Sequence, residues 1–148
     1  MILTCHLLVG AAVASKIPSI PLGLTLAFLS HYLIDFIPHY EYPIKQIRDS
    51  QWLKSGFDFL KVTADFILGF GLIFLFAKPN IWLFVAAFLA IVPDGLTLLN
   101  RIFPENKLLK KIRFWHSKVN EMSEKKRIPA SLGILSSSIV SFIALLSL

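Results

Sequence analysis

The chain is nearly without cysteine. Cys5 is the only one in 148 residues, which excludes an intrachain disulfide and a zinc site built on thiolates. What remains for Cys5 is the role of a small buried apolar residue. Charge is scarce as well, at 16% of residues, and acid scarcer still, with nine Asp and Glu against 15 Lys and Arg. No stretch alternates apolar and polar residues with a period of two, so no strand is expected. There is no G-x-S-x-G elbow, no H-E-x-x-H helix and no Walker loop, and the chemistries those templates carry have no foothold here. Helix-turn-helix patterning and aromatic-interleaved basic runs are also missing, so the basic excess is not read as nucleic-acid binding.

Hydrocarbon is what the chain has in quantity. Apolar residues make up 55% of it, and the mean hydropathy is +0.69. One domain of this size cannot bury that much apolar surface from water, which predicts an all-α, polytopic membrane bundle over residues 1–148. Five apolar segments are legible: Ile2 to Ser15, Leu22 to Ile37, Phe57 to Ala77, Ile81 to Asn100 and Leu132 to Leu148. A span needs about 20 residues, so the last three qualify and the first two are short. The two prolines of "KIPSIP" (Lys16 to Pro21) mark a tight connection between those two. The first segment has no basic stretch before it, so it is read as a retained helix and not as a signal peptide.

Basic residues sort between the connections. Lys45, Arg48 and Lys54 lie between the second and third segments. Arg101, Lys107, Lys110, Lys111, Arg113, Lys118, Lys125, Lys126 and Arg127 lie between the fourth and fifth, and the alternate connections carry only Lys16 and Lys78. Five crossings put both rich loops on one side, and the positive-inside rule makes that side cytoplasmic, with the amino terminus inside and the carboxyl terminus outside. "NKLLKKIRFWHSKVNEMSEKKR" (Asn106 to Arg127) reads as a basic amphipathic helix at the lipid headgroups. Leu108, Leu109, Ile112, Trp115 and Val119 form its expected apolar face. Lys110, Lys111, Arg113 and Lys118 are candidates to hold a lipid phosphate.

Against this background a few polar residues stand out. In "AFLSHYLIDFIPHYEYP" (Ala27 to Pro43), His31 and Asp35 are four apart and so share one helix face. An uncompensated charge at the centre of a membrane helix costs about 2.5 to 3.5 kcal/mol. A His–Asp hydrogen bond would offset part of that; a shared cation would offset more, since side chains at i and i+4 reach one ion. His39 follows Pro38 and is placed to turn back toward the same point. His6 lies near the start of the first segment, Asp94 in "IVPDGL" and His116 in "FWHSK". The topology, built on Lys and Arg alone, sets all of them toward the cytoplasmic face. His6, His31, Asp35, His39, Asp94 and His116 are therefore the expected metal ligands, with Asp94 and His116 also the candidates for catalysis. Nitrogen and oxygen donors without sulfur favour Zn²⁺, with Mn²⁺ or Fe²⁺ as further options. Asp65, in "KVTADFILGF", is expected to bond a neighbouring helix, with a role behind a ligand histidine as the alternative.

"HLLVGAA", "LSHYLIDFIPHYEYP", "IVPDGL" and "FWHSK" together resemble the membrane-bound metal-dependent hydrolases of the YdjM-like group. That group carries a His before a small-residue helix, an L-x-H-x-x-x-D helix, a P-D motif and an H-S motif, which fall here on His6, on His31 with Asp35, on Pro93 with Asp94, and on His116 with Ser117. The chain lacks that group's second P-D-x-D-H acids and its H-R-G-x-T-H run. "HYLIDFIPH" is also similar to the His-Asp-His stretch of the zinc-dependent phospholipase C and P1 nuclease enzymes, over one helix only. The resemblance implies metal-assisted hydrolysis of a phosphoester, with membrane lipid as partner and source of substrate, at the inner membrane. A scaffold in which the cluster is a structural metal site or a packing network is the second reading. Ion transport through Asp35 and Asp65 is the third, disfavoured because no inverted repeat is visible.

Overall fold

The structure, a computed structural model, describes residues 1–124 and 129–148. Among these residues there are seven α-helices and no strand: α1 (Leu3–Lys16), α2 (Ile20–Asp35), α3 (Lys45–Arg48), α4 (Gly56–Phe76), α5 (Ile81–Ile102), α6 (Lys107–Glu124) and α7 (Ala130–Leu146), with a 3₁₀ turn at Trp52–Lys54. The five apolar segments are α1, α2, α4, α5 and α7. Lys125, Lys126 and Arg127, counted above with the amphipathic helix, lie outside the described residues.

The start of α2 differs from the sequence reading. The helix begins at Ile20, two residues before Leu22, and takes Pro21 into its first turn. A proline there gives up an N–H that has no partner in any helix, and its fixed φ suits the start. Pro93 is likewise absorbed into α5. It removes one backbone hydrogen bond and loosens that turn without ending the helix.

α4 and α5 are long and apolar enough to cross a membrane, each with a mean hydropathy of 2.0. Only 11% and 28% of their apolar windows are buried within the bundle. The shortness of α1 has a packing reason. At about 1.5 Å per residue a helix of this size is some 10 Å shorter than a bilayer core of about 30 Å. Yet α1 is the centre of the bundle, packed on α2, α4, α5 and α7. Leu7, Leu8, Ala11 and Ala12 are buried against Ile73, Leu83, Ala87 and Ile91. A helix sheathed by others does not itself have to match the lipid.

The polar ends of the helices meet on one side. Asp65 of α4 accepts from the backbone N–H of Leu3 at 2.6 Å and of Thr4 at 3.1 Å, and from the Tyr42 hydroxyl at 3.0 Å. The N-terminus of α1 has no side-chain cap of its own, so a carboxylate from another helix supplies it. The expectation that Asp65 ties helices together holds. Burial, and then the Asp65 carboxylate, push the Tyr42 phenol up, which keeps it a donor. Arg101 donates to the carbonyl of Arg48, and Ser136 to that of Pro38 at 2.6 Å. These bonds gather the start of α1, the exit of α2, α3, the end of α5 and the start of α7. At the opposite side Ser15 donates to the carbonyl of Ser147 at 3.3 Å.

Asp65→Ala leaves these N–H groups and the Tyr42 hydroxyl without their acceptor. With N-caps worth up to about 2 kcal/mol and hydrogen bonds to a charged group about 1.5 to 3 kcal/mol, the expected loss is about 3 kcal/mol. Denaturant unfolding in detergent measures it; an unchanged midpoint would remove Asp65 from this role.

Candidate metal centre

Four helices carry the polar cluster to one place. α1 supplies His6, α2 supplies His31 and Asp35 one turn apart, α5 supplies Asp94 beside the loosened turn at Pro93, and α6 supplies His116. His6, His31, Asp35 and His116 are buried, and Asp94 is one-third exposed.

The separations are short. His31 Nε2 lies 2.9 Å from His116 Nε2 and 3.2 Å from Asp35 Oδ2. His116 Nε2 lies 3.4 Å from Asp35 Oδ2 and 3.5 Å from Asp94 Oδ1, and His31 Nε2 is 3.9 Å from Asp94 Oδ1. His6 Nε2 is 3.2 Å from the other Asp35 oxygen, Oδ1, and its ring stacks on His31 with centroids 4.2 Å apart. The Met1 amine also reaches Asp35 Oδ1, at 2.7 Å.

Hydrogen bonding on the far side of two rings fixes their tautomers. His31 Nδ1 is 2.8 Å from the carbonyl of Ala90, an acceptor only, so Nδ1 carries the proton. The Thr97 hydroxyl gives its one hydrogen to the Pro93 carbonyl at 3.1 Å, so at 3.1 Å from His116 Nδ1 it accepts. In the neutral rings both Nε2 atoms then present lone pairs to each other, to Asp35 and to Asp94. A proton shared between the two Nε2 atoms answers that pair alone. Among the described residues, Asp35 Oδ2 and both nitrogens of His6 remain without a hydrogen-bond partner of good geometry, although buried. Such orphans in a protein interior are costly.

A cation between the two Nε2 atoms, Asp35 Oδ2 and Asp94 Oδ1 answers all four of those atoms. Tetrahedral Zn²⁺ with ligands at about 2.0 to 2.1 Å puts those ligands about 3.3 Å from one another, close to the spacing among His31, His116, Asp35 and Asp94. The buried groups His31, Asp35 and His116, and His6, His31 and Asp94, each bring one donor atom per residue within 4.8 Å of the others. The site can hold a metal ion. Its outer partners also have the form common behind metal ligands, a ring N–H given to a carbonyl or hydroxyl.

His39 is not brought into the cluster. Its Nε2 is 3.1 Å from Glu41, and its Nδ1 bonds the carbonyl of Ile37 at 2.7 Å. α2 ends at Asp35, before Pro38, and the chain leaves it through a turn at Phe36 and then an irregular stretch, which puts His39 beside Glu41 and not at the point to which it was expected to return. His116 joins with its Nε2 toward the cluster and its Nδ1 on Thr97. Thr97 and the Ala90 carbonyl are participants that sequence reasoning missed. Thr97 lies one turn beyond Asp94, a spacing that could have pointed to it; nothing in the sequence marks a carbonyl.

The face of α6 is also rotated from expectation. Leu109, Ile112, Arg113, His116, Val119 and Asn120 are half-buried or buried, whereas Leu108 and Trp115 point outward. A buried histidine takes the inward place that Trp115 was expected to fill. Phe114 and Trp115 stay exposed under the Lys118 ammonium, 4.8 and 5.9 Å from the ring centroids. Lys110, Lys111 and Lys118 are exposed and do not line the cleft that opens beside the metal centre.

That cleft measures 520 Å³ and has Asp94 and His116 in its wall, with Tyr42, Phe59, Val62 and Phe66 among its other lining residues. Compared with protein-family models, curated proteins and solved structures, the chain matches none.

Proposed function

We propose that the protein is a multi-pass inner-membrane hydrolase that uses a divalent cation, Zn²⁺ first, to cleave a phosphoester at the cytoplasmic surface. The observation that carries this reading is the convergence of His31 Nε2 and His116 Nε2 on Asp35 and Asp94 in a buried place beside an open cleft. A closed four-ligand site would suit structure; three protein ligands with one open position suit catalysis. His31, Asp35 and His116 are the three most enclosed donors. Asp94 is the loosest of the four and the most exposed of them, in the wall of the cleft beside His116, so it takes the part of general base.

A divalent cation in this site supplies Lewis acidity, lowering the pKa of water toward neutrality and polarising a phosphoryl oxygen. The chain's own residues do the rest. Asp94 accepts the proton of the attacking water. Thr97 and the Ala90 carbonyl hold the two imidazoles in the tautomer that faces inward. His6 and Asp35 face each other at the dry end of the cluster. The membrane reading rests on the exposed apolar surfaces of α4 and α5, and the cytoplasmic assignment on the basic loops that share a side with the cluster. The local resemblance to metal-dependent membrane hydrolases points the same way.

The test is metal analysis of detergent-purified protein, with turnover of bis(p-nitrophenyl) phosphate. About one divalent cation per chain is expected, with activity lost to chelator and restored by metal. Asp94→Asn is expected to keep the metal and lower turnover by about 10²- to 10⁴-fold, the usual worth of a general base. Wild-type protein without metal would end the enzyme reading. Metal that is bound, needed for thermal stability and idle toward phosphoesters would favour the structural site.

A further inference from the structure

The cleft beside the metal centre carries a second feature that the cluster does not use. Arg48 of α3 and Arg101 of α5 both line it. They are drawn together, because Arg101 spends one N–H on the backbone carbonyl of Arg48. Arg113 and Arg48 are near enough to repel the Arg101 guanidinium, with Asp49 as an opposing charge. Arg48 reaches only Glu41, at 3.9 Å with both side chains well exposed, and among the described residues no carboxylate lies within ion-pair distance of Arg101. Arg113 adds a third guanidinium nearby and is turned to Asn100, at 3.3 Å. Glu41, Asp94 and Glu121 also line the cleft, but among the described residues only Glu41 comes within 4 Å of one of these guanidinium groups, and planar donor forks with so little direct pairing are suited to a phosphate, which each can engage through two N–H groups.

The same cleft has an apolar wall. Phe59, Val62 and Phe66 fall at i, i+3 and i+7 of α4, one face of that helix, and all three line the cleft. On α5 Asp94, Leu98 and Arg101 fall at i, i+4 and i+7, again one face, so the metal centre and the arginines are two turns apart along one wall, about 10 Å. A purely aqueous anion has no use for aromatic and aliphatic walls, and a purely apolar ligand has none for the arginines.

We infer that this cleft is a binding site for an anionic amphiphile, with a phosphate head on Arg48 and Arg101 and an alkyl chain along Phe59, Val62 and Phe66. That the anion is a phosphate rests on the function proposed above; the need for an anion joined to an alkyl chain rests on the cleft alone. Of the four α6 residues expected to hold a lipid phosphate, Lys110, Lys111 and Lys118 do not line this cleft, whereas Arg113 lies near Arg101.

Binding, measured without turnover, separates the two readings. Full-length protein in a neutral maltoside detergent, with EDTA present, is titrated with dodecyl phosphate and with inorganic phosphate by calorimetry. Dodecyl phosphate is expected to bind at least tenfold tighter than inorganic phosphate. Arg48→Gln with Arg101→Gln is expected to weaken dodecyl phosphate binding by 10- to 100-fold, while metal content in EDTA-free preparations stays at the wild-type level. The single change Arg48→Gln, at an exposed side chain, serves if the double variant does not fold, and a several-fold loss is expected from it. Inorganic phosphate binding as tightly as dodecyl phosphate would overturn the amphiphile. Unchanged dodecyl phosphate affinity in the arginine variants would overturn the site even if metal and activity are intact. Loss of the metal reading with this binding pattern preserved would leave the amphiphile site standing alone.

Discussion

His31→Ala is expected to empty the metal centre. The Nε2 of His31 belongs to both possible donor groups and stands within 3.9 Å of His116, Asp35 and Asp94. Removing a partner that only orients a ligand typically weakens metal binding by 10- to 100-fold. Loss of the ligand itself should exceed about 100-fold, enough to bring purified protein to no detectable metal and no metal-dependent turnover. The substitution also strips Asp35 of a neighbour where its side chain is 1% exposed. Asp35 keeps the Met1 amine at 2.7 Å and the imidazoles of His6 and His116, so stability should also fall, but by less than the about 3 to 5 kcal/mol that a fully unpaired buried charge costs. His39→Ala is the matched control, because His39 touches Glu41 and the Ile37 carbonyl and none of the cluster. Equal metal content in His31→Ala and wild type would move the site elsewhere.

The difference between these two histidines shows what could be read from the sequence. His31 and Asp35 sit at helical spacing inside an apolar run, so their shared face was determined by local geometry alone. His6, Asp94 and His116 were grouped through topology, since lysine and arginine asymmetry set which helix ends lie together. His39 lies past a helix end and a proline, where no periodicity constrains direction, and its expected return did not occur. The rotation of α6 escaped for a related reason. Its pattern offers Leu108 and Trp115 as readily as Leu109 and His116 for the inward face, and tertiary packing made the choice. Asp65 was recognisable as a residue that must bond something, but its partners, the free N–H groups at the start of α1, are backbone atoms that no composition announces. The central place of α1 was equally hidden. Its length argued against a full span, and only the packing shows that four helices surround it.

That central place makes Gly10 the position of the other large expected effect. A Cβ at Gly10 would lie 2.6 Å from Ala90 Cβ, 3.0 Å from the Ala86 carbonyl oxygen and 3.3 Å from Ala87 Cα. None of these is the tip of a flexible side chain, so α1 and α5 would have to part. Two effects oppose each other in Gly10→Ala. Replacing a helical glycine by alanine gains about 1 kcal/mol of helix propensity, while overpacking costs about 1 to 3 kcal/mol. With rigid neighbours at all three of these contacts, the cost should prevail. Gly10→Val, larger and branched at Cβ, should fold poorly or not at all. Gly71→Ala supplies the comparison, because a Cβ there meets nothing within 4 Å and only the gain remains. The separation should also reach the metal centre. His6 lies one turn before Gly10 on α1, and Ala90 both carries the methyl that Gly10 must clear and offers the carbonyl that orients His31 at 2.8 Å. Gly10→Ala is therefore expected to lower metal affinity by at least about tenfold, in the range of an orienting partner, though glycine ligates nothing. Metal titration and denaturant unfolding of Gly10→Ala beside Gly71→Ala would measure both effects. If the two variants behaved alike, α1 and α5 would not be in backbone contact, and the convergence of His6, His31 and Asp94 would lose its scaffold.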